Sequence, residues 1–292
     1  MLFGVCSLCL IGKFMKQKIM ILLAAFLSSQ ICVTLAQTVA RQQLSSTSEV
    51  FIKSGVENIF GILSKPVTTE VRQPVAIIAH GFNGTHLFGK NYFERFNRMG
   101  YQCYAFDFPC GSVNSRSNNN TMGMSVIDEQ QHLEAVVRHF QSQPDVDASR
   151  IVLIGESQGG LVAALVAANA SMNIHRLILV FPALCIPDNW NERYKQIADI
   201  PDTTRLWNVP LSRRFFTELR YMSPLDIIGR YEGPVLIIHG DADTVVPVNY
   251  SRRAAEVYGD VHLIVLHGEG HGFKPQGFER SLDEIENFLI DK

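Results

Sequence analysis

Six strand-length runs between residues 74 and 266 are apolar nearly throughout, and segments with helical spacing lie between them. The runs are Pro74–Ala79, Cys103–Phe108, Ile151–Ile154, Leu177–Phe181, Val235–Ile238 and Val261–Leu266. Successive side chains of a strand point to opposite faces, so a strand apolar on both faces is covered on both. Segments 92–98, 124–140, 158–170, 251–258 and 276–290 read as the covering helices. The alternation predicts an α/β protein with a mainly parallel, doubly wound sheet. Ahead of it, Glu49–Ser54 and Asn58–Leu63 read as a hairpin turning at Gly55. One stretch breaks the rhythm. Residues 182–231, rich in Pro, Trp, Tyr, Phe and Arg, read as an inserted lid and not as a second domain.

The N-terminus has the parts of a secretory signal peptide: Met15-Lys16-Gln17-Lys18, the apolar run Ile19–Leu27, and the small residues of Thr34-Leu35-Ala36. Cleavage after Ala36 would leave 256 of the 292 residues, a single domain over 37–292 in a secreted or periplasmic enzyme. Met15 is a second candidate start, and an uncleaved anchor is the alternative, although Ile19–Leu27 is short for a span. No later apolar run approaches membrane-helix length. Residues 1–36 carry Lys13, Lys16 and Lys18 and no acid, so the rest holds 23 basic and 28 acidic residues. That net −5 gives no electrostatic case for nucleic-acid binding. Past the leader, Cys103, Cys110 and Cys185 remain. They are too few for a disulfide scaffold, and one bridge with a free thiol and three free thiols are both open. No Cys/His spacing suggests a metal site.

Gly155-Glu156-Ser157-Gln158-Gly159-Gly160 fits Gly-x-Ser-x-Gly, directly after one strand run and directly before a helical run. That is the setting of a nucleophile elbow, which lifts a serine hydroxyl above the sheet edge. A serine needs a base and an orienting acid, and in this setting they follow in the order Ser, acid, His. Val235–Ile238 leads into His239-Gly240-Asp241-Ala242-Asp243, and Val261–Leu266 into His267-Gly268-Glu269-Gly270-His271. Asp243 is the candidate acid and Asp241 the alternative, which could instead tie the turn to backbone amides. His271 is the candidate base, with His267 and His239 read as structural. The tetrahedral oxyanion needs two donors, for which the backbone N–H groups of Gln158 and of Phe82, in the His80–Gly84 loop, are the candidates. His80 reads as a brace of that loop. Gly84–Asn91 approximates a phosphate loop, but Asn91 stands where a Mg²⁺-ligating hydroxyl belongs, so nucleotide binding is rejected. Asn83, Asn119, Asn169 and Asn249 fit the glycosylation pattern, which matters only in a eukaryotic secretory host.

Together, His80-Gly81-Phe82, the elbow, the 239–247 loop and Gly270-His271-Gly272-Phe273 resemble the α/β-hydrolase superfamily, and within it the bacterial cinnamoyl (feruloyl) esterases. The resemblance runs from about Val56 to Ile290. It implies Ser157, Asp243 and His271 as a triad, Phe82 and Gln158 as oxyanion donors, and no metal or cofactor. Two places depart from the family. Glu156 stands where a histidine is frequent, and Pro109-Cys110-Gly111-Ser112 replaces a Gly-His-Gly turn, followed by polar Asn114–Asn118. Lid aromatics Trp190, Trp207, Phe215, Phe216 and Tyr221 could line an acyl pocket or pack the lid, and Asp188 could accept from a phenolic hydroxyl. The sequence reading is a serine ester hydrolase working through an acyl-enzyme on small phenolic or carbohydrate-linked esters. Its rivals are a peptidase or acyl-peptide hydrolase, a lipase or general carboxylesterase, and a catalytically silent binding protein.

Overall fold

The computed structural model describes residues 45–290; the leader and its cleavage point lie outside them. The first strands, β1 (Ser45–Ser54) and β2 (Glu57–Pro66), form the expected hairpin, with Gly55 at φ +57 in its turn. Then follow β3 (Gln73–Ala79), α1 (His86–Arg98), β4 (Gln102–Phe106), α2 (Val126–Gln141), β5 (Val146–Glu156), α3 (Gln158–Ala167) and β6 (Arg176–Val180). The inserted stretch holds α4 (Ile186–Arg193), a small hairpin of β7 (Thr203–Leu206) and β8 (Val209–Ser212), α5 (Arg213–Thr217) and α6 (Pro224–Ile228). The chain closes with β9 (Val235–Gly240), α7 (Asn249–Val257), β10 (Val261–Leu266) and α8 (Pro275–Ile290).

Eight strands form one sheet in the order β1-β2-β4-β3-β5-β6-β9-β10. From β4 to β10 all pairings are parallel; β2 joins β4 antiparallel. The apolar runs are buried on both faces, as their composition demands. In β5, Ile151 and Leu153 pack with α2 and α3, while Val152 and Ile154 pack with the aromatic face of α1 and with Leu282, Ile285 and Phe288 of α8. Helix starts are capped locally: Ser125 accepts from the Asp128 N–H at 3.0 Å, with Asp128 and Glu129 in the first turn of α2. Cys103, Cys110 and Cys185 are all free thiols.

The strand order fixes where a ligand can bind. The chain leaves β3 for β4 on one side and returns to β5 on the other, so the loops after β3 and β5 part and leave a crevice at the carboxyl ends of the strands. Open α/β sheets bind ligands at such switch points. Here the crevice lies between the His80–Gly84 loop and Ser157.

Candidate active site

Ser157 sits between β5 and α3 with φ 50 and ψ −118, a backbone region costly for any side chain. The surrounding residues leave no slack. A Cβ at Gly155 would lie 2.4 Å from the Gly159 carbonyl oxygen, and one at Gly159 would lie 2.4 Å from the carbonyl oxygens of Ala79 and His80. Glycine at both positions therefore lets β3, the elbow and α3 meet.

The three loops converge as the strand order requires. His271 Nε2 is 3.0 Å from Ser157 Oγ and His271 Nδ1 is 2.8 Å from Asp243 Oδ2. The Asp243 side chain is fully buried. Its Oδ1 accepts from the Val245 and Val246 N–H groups, both at 2.8 Å, and its Oδ2 also faces His239 Nε2 at 3.2 Å. Burial by itself would raise the Asp243 carboxyl; donation from His239, His271 and the Val246 N–H overrides it and holds the group well below the usual carboxylate range. The carboxylate is thus charged wherever the protein is folded near neutral pH. Its Nδ1 partner must then carry the proton, which leaves Nε2 of His271 to accept from the serine hydroxyl.

His239 is a structural residue, as the sequence reading has it, but with a specific task. Its Nε2 faces two acceptors, Asp243 Oδ2 and the Val246 carbonyl at 2.9 Å, so that nitrogen holds the hydrogen. Nδ1 then accepts from Ser251 Oγ of α7 at 2.7 Å. Asp241 and His267 pair with each other at 2.8 Å, and Asp241 also accepts from the Gly268 N–H. Asp241 thus ties its loop to the Gly268 turn of the neighbouring loop.

The loop after β3 is held from both sides. His80 is buried; its Nδ1 donates to the Gly81 carbonyl at 2.7 Å and its Nε2 accepts from the Phe108 N–H. Burial lowers its pKa, consistent with a neutral brace. The Asn83 N–H donates to the Gly111 carbonyl, and the Asn83 side-chain oxygen accepts from the Val113 N–H. The Pro109–Ser112 departure from the family pattern is thus the segment that anchors this loop. The polar residues after it are structural too: the Arg116 N–H donates to buried Asp107 and Ser117 Oγ bonds the Asp107 carbonyl. His86 completes the cluster through Asp107 Oδ1. On the other side, Gln158 opens α3, where a helix leaves its first N–H groups without intrahelical acceptors. Its side chain is clamped by buried Glu129, which accepts from Gln158 Nε2 at 2.8 and 3.0 Å. Burial, eased by that amide, pushes the Glu129 carboxyl up to about 8.

Two cavities flank Ser157. One, about 50 Å³, is lined by Phe82, Gln158, Cys185, Asn189, Trp190 and Phe215 among others, with Trp207 at its edge. The other, about 250 Å³, lies on the His271 side. Among the predicted pocket residues, Trp190, Trp207 and Phe215 come together here. Phe216 is buried in the lid against Trp190. Tyr221 is 87% exposed and outside both linings, because it follows α5 on the outer surface of the lid. Asp188 is likewise outside both; it turns away on α4 and accepts from Tyr250 at 2.8 Å. A larger cleft of about 400 Å³, near Arg176, Asp260 and His262, lies at the opposite, amino ends of β6, β9 and β10. Among the described residues no group of three or more His, Cys, Asp or Glu is placed to hold a metal ion.

A sheet of this order with a nucleophile elbow at its switch point defines the α/β-hydrolases. The chain belongs to the family described as serine aminopeptidase, S33, which matches residues 70–226. Its sequence is 32% identical over 274 residues to the quorum-quenching protein AidA of Acinetobacter baumannii, covering 76% of this chain and 88% of that one. In fold it is similar to Est1E of Butyrivibrio proteoclasticus with ferulic acid bound, at TM-score 0.74 and 24% identity over 82% of this chain and 98% of that one. It is also similar to the esterase Pf2001 of Pyrococcus furiosus, at TM-score 0.64 and 21% identity over 85% and 93%.

Proposed function

We propose that this protein is an exported serine esterase that cleaves small esters with an aromatic acyl group through an acyl-enzyme. The observation that carries the reading is the unbroken chain from buried Asp243 through His271 to Ser157, opening on a cavity walled by Trp190 and Phe215. Ser157 attacks the ester carbonyl as His271 takes its proton. The Phe82 and Gln158 N–H groups hold the oxyanion, and His271 returns the proton to the departing alcohol. Water repeats the sequence on the acyl-enzyme. Residues 1–36 serve as the export leader and residues 182–231 as the lid over one domain.

Cavity chemistry favours an ester over a peptide with a free amino terminus. The lining of the acyl-side cavity includes no carboxylate that could hold an ammonium group. Its apolar walls suit an aromatic ring. A ring needs about 150 Å³, more than the cavity holds, so Trp207 must move. It can, being 65% exposed at the tip of the β7–β8 turn and held edge-on to Phe82.

The test is hydrolysis of p-nitrophenyl acetate and methyl ferulate by wild type and Ser157→Ala. Cleavage by wild type and its loss in the variant support the mechanism, and the ratio of the two esters reports the acyl preference. Failure to cleave either, with no fluorophosphonate label on Ser157, overturns it. A second reading, quorum quenching, rests on the likeness to AidA across 88% of that protein. Its test is whether the purified chain silences a quorum-sensing reporter strain and Ser157→Ala does not.

A further inference from the structure

The elbow places a second functional group beside the nucleophile, and the mechanism above does not use it. Glu156 ends β5 and is 3% exposed. Its Oε1 accepts from the Tyr92 hydroxyl of α1 at 2.7 Å. Its Oε2 has no protein partner among the described residues, yet it is not one of the polar atoms sealed away without one. Glu156 lines the cavity of about 250 Å³ on the His271 side, together with Phe82, Phe88, Phe181 and Trp207. Of the two cavities beside Ser157, this is the one whose lining includes Glu156.

The position matters because of what the cavity receives. His271 Nε2 takes the serine proton and must pass it to the leaving oxygen, so the alcohol portion of the ester lies on the His271 side. The acyl portion takes the other cavity. Away from Ser157 and the two histidines, the lining sets one carboxyl residue among four aromatic side chains, and broad apolar contact with a polar anchor is the arrangement that orients a ligand. Burial, partly offset by Tyr92, pushes the carboxyl up to about 8, so at neutral pH it is a neutral acid that both donates and accepts. A hydroxyl, itself donor and acceptor, matches such a group.

We propose that Glu156 is a leaving-group specificity residue: it hydrogen-bonds a hydroxyl on the departing alcohol and selects esters of hydroxylated alcohols over plain alkyl esters. The proposal rests on the esterase reading of the same site. It is tested with 2-hydroxyethyl, propyl and choline benzoates, matched in acyl group and near in size, on the full chain. Wild type prefers the hydroxyethyl to the propyl ester in kcat/KM by about tenfold, the scale of one buried hydrogen bond. Glu156→Leu brings that ratio to about one. Glu156→Gln, nearly isosteric and still able to bond a hydroxyl, retains part of it and serves if the leucine variant fails to fold. A ratio that is equal in wild type and in Glu156→Gln and Glu156→Leu overturns the proposal while leaving the esterase reading intact. A choline ester preferred over the hydroxyethyl ester overturns it in favour of a cation site. If no ester is cleaved and fluorophosphonate leaves Ser157 unlabelled, the esterase reading fails and this proposal with it.

Discussion

Two Asp–His pairs of equal length stand at the same sheet edge. Asp241 meets His267 at 2.8 Å, and Asp243 meets His271 at 2.8 Å. Their surroundings differ. The His267 side chain is 97% exposed and that of Asp241 32%, whereas His271 is 22% exposed and Asp243 fully buried. Water screens the first pair and competes for its partners, so it contributes little. The second carboxylate would cost several kcal/mol to bury bare. Four donors, the Val245 and Val246 N–H groups, His239 and His271, offset that cost and fix its orientation. Contact length therefore does not separate the pair beside Ser157 from the outer one; burial with a full set of donors does.

The sharpest way to break this contrast is Asp243→Asn. The amide cannot hold His271 in the tautomer that leaves Nε2 free for Ser157, and a loss of about 10⁴-fold in kcat for p-nitrophenyl acetate is expected. Retention of more than a tenth of the wild-type kcat would remove Asp243 from the proposed machinery. Next comes His239→Asn. It deprives Asp243 of one donor, because the shorter amide ends near the Nδ1 position, where its oxygen can still accept from Ser251, and it leaves the side chains of Ser157, Asp243 and His271 unaltered. About a tenfold drop in kcat and about 1–3 kcal/mol of stability are expected, read by steady-state kinetics and by urea unfolding.

A third measurement turns on sign. Asp243 is held below its unfolded pKa, so its contribution to stability is present above about pH 4 and is lost as pH falls through the lower folded value. Glu129 and Glu156, each buried with a single donor, are pushed up to about 8. The folded protein keeps their protons where the unfolded chain, with pKa near 4.3, releases them, so stability falls as pH rises from about 4.3 to 8. Glu129→Gln removes one such proton. Its Tm should decline less between pH 5 and pH 8 than that of wild type in a thermal melt. Parallel curves would mean that Glu129 is already ionised in the fold.

How far these features were legible in the sequence follows from their range. The elbow, the 239–247 loop and the 267–273 loop each continue an apolar strand into glycine-containing turns, so a local pattern marks them and the parallel sheet brings them to one edge. The partners that complete the site are distant pairs with no local pattern: Glu129 with Gln158, His86 with Asp107, His239 with Ser251 across the β9–α7 connection. Only the packing of separate elements makes them neighbours. His239 was visible as a histidine at a strand end, but the bend that brings Asp243 back under it was not. The lid was legible as an interruption and no more. Its aromatics resemble one another in sequence, and the turn of a short helix decides that Trp190 faces the cavity while Asp188, two residues before it, meets Tyr250.

The smallest expected effect closes the comparison from its other side. Asp241→Asn and His267→Ala should each leave kcat and KM within about twofold of wild type, because this pair touches neither Ser157 nor either cavity lining. The Asp241 carboxyl is held low first by His267 and then by the Gly268 N–H. Asparagine keeps the oxygen that Gly268 needs, where φ is +74 and the turn is tight. Loss of the His267 contact alone should then shift Tm by about 2 °C or less, and the shift should vanish in 1 M salt, where charges are screened within about 3 Å. A fall in kcat comparable to that of Asp243→Asn would show that the outer pair sets the geometry of the 267–273 loop, and that the exposed partner acts through the buried one.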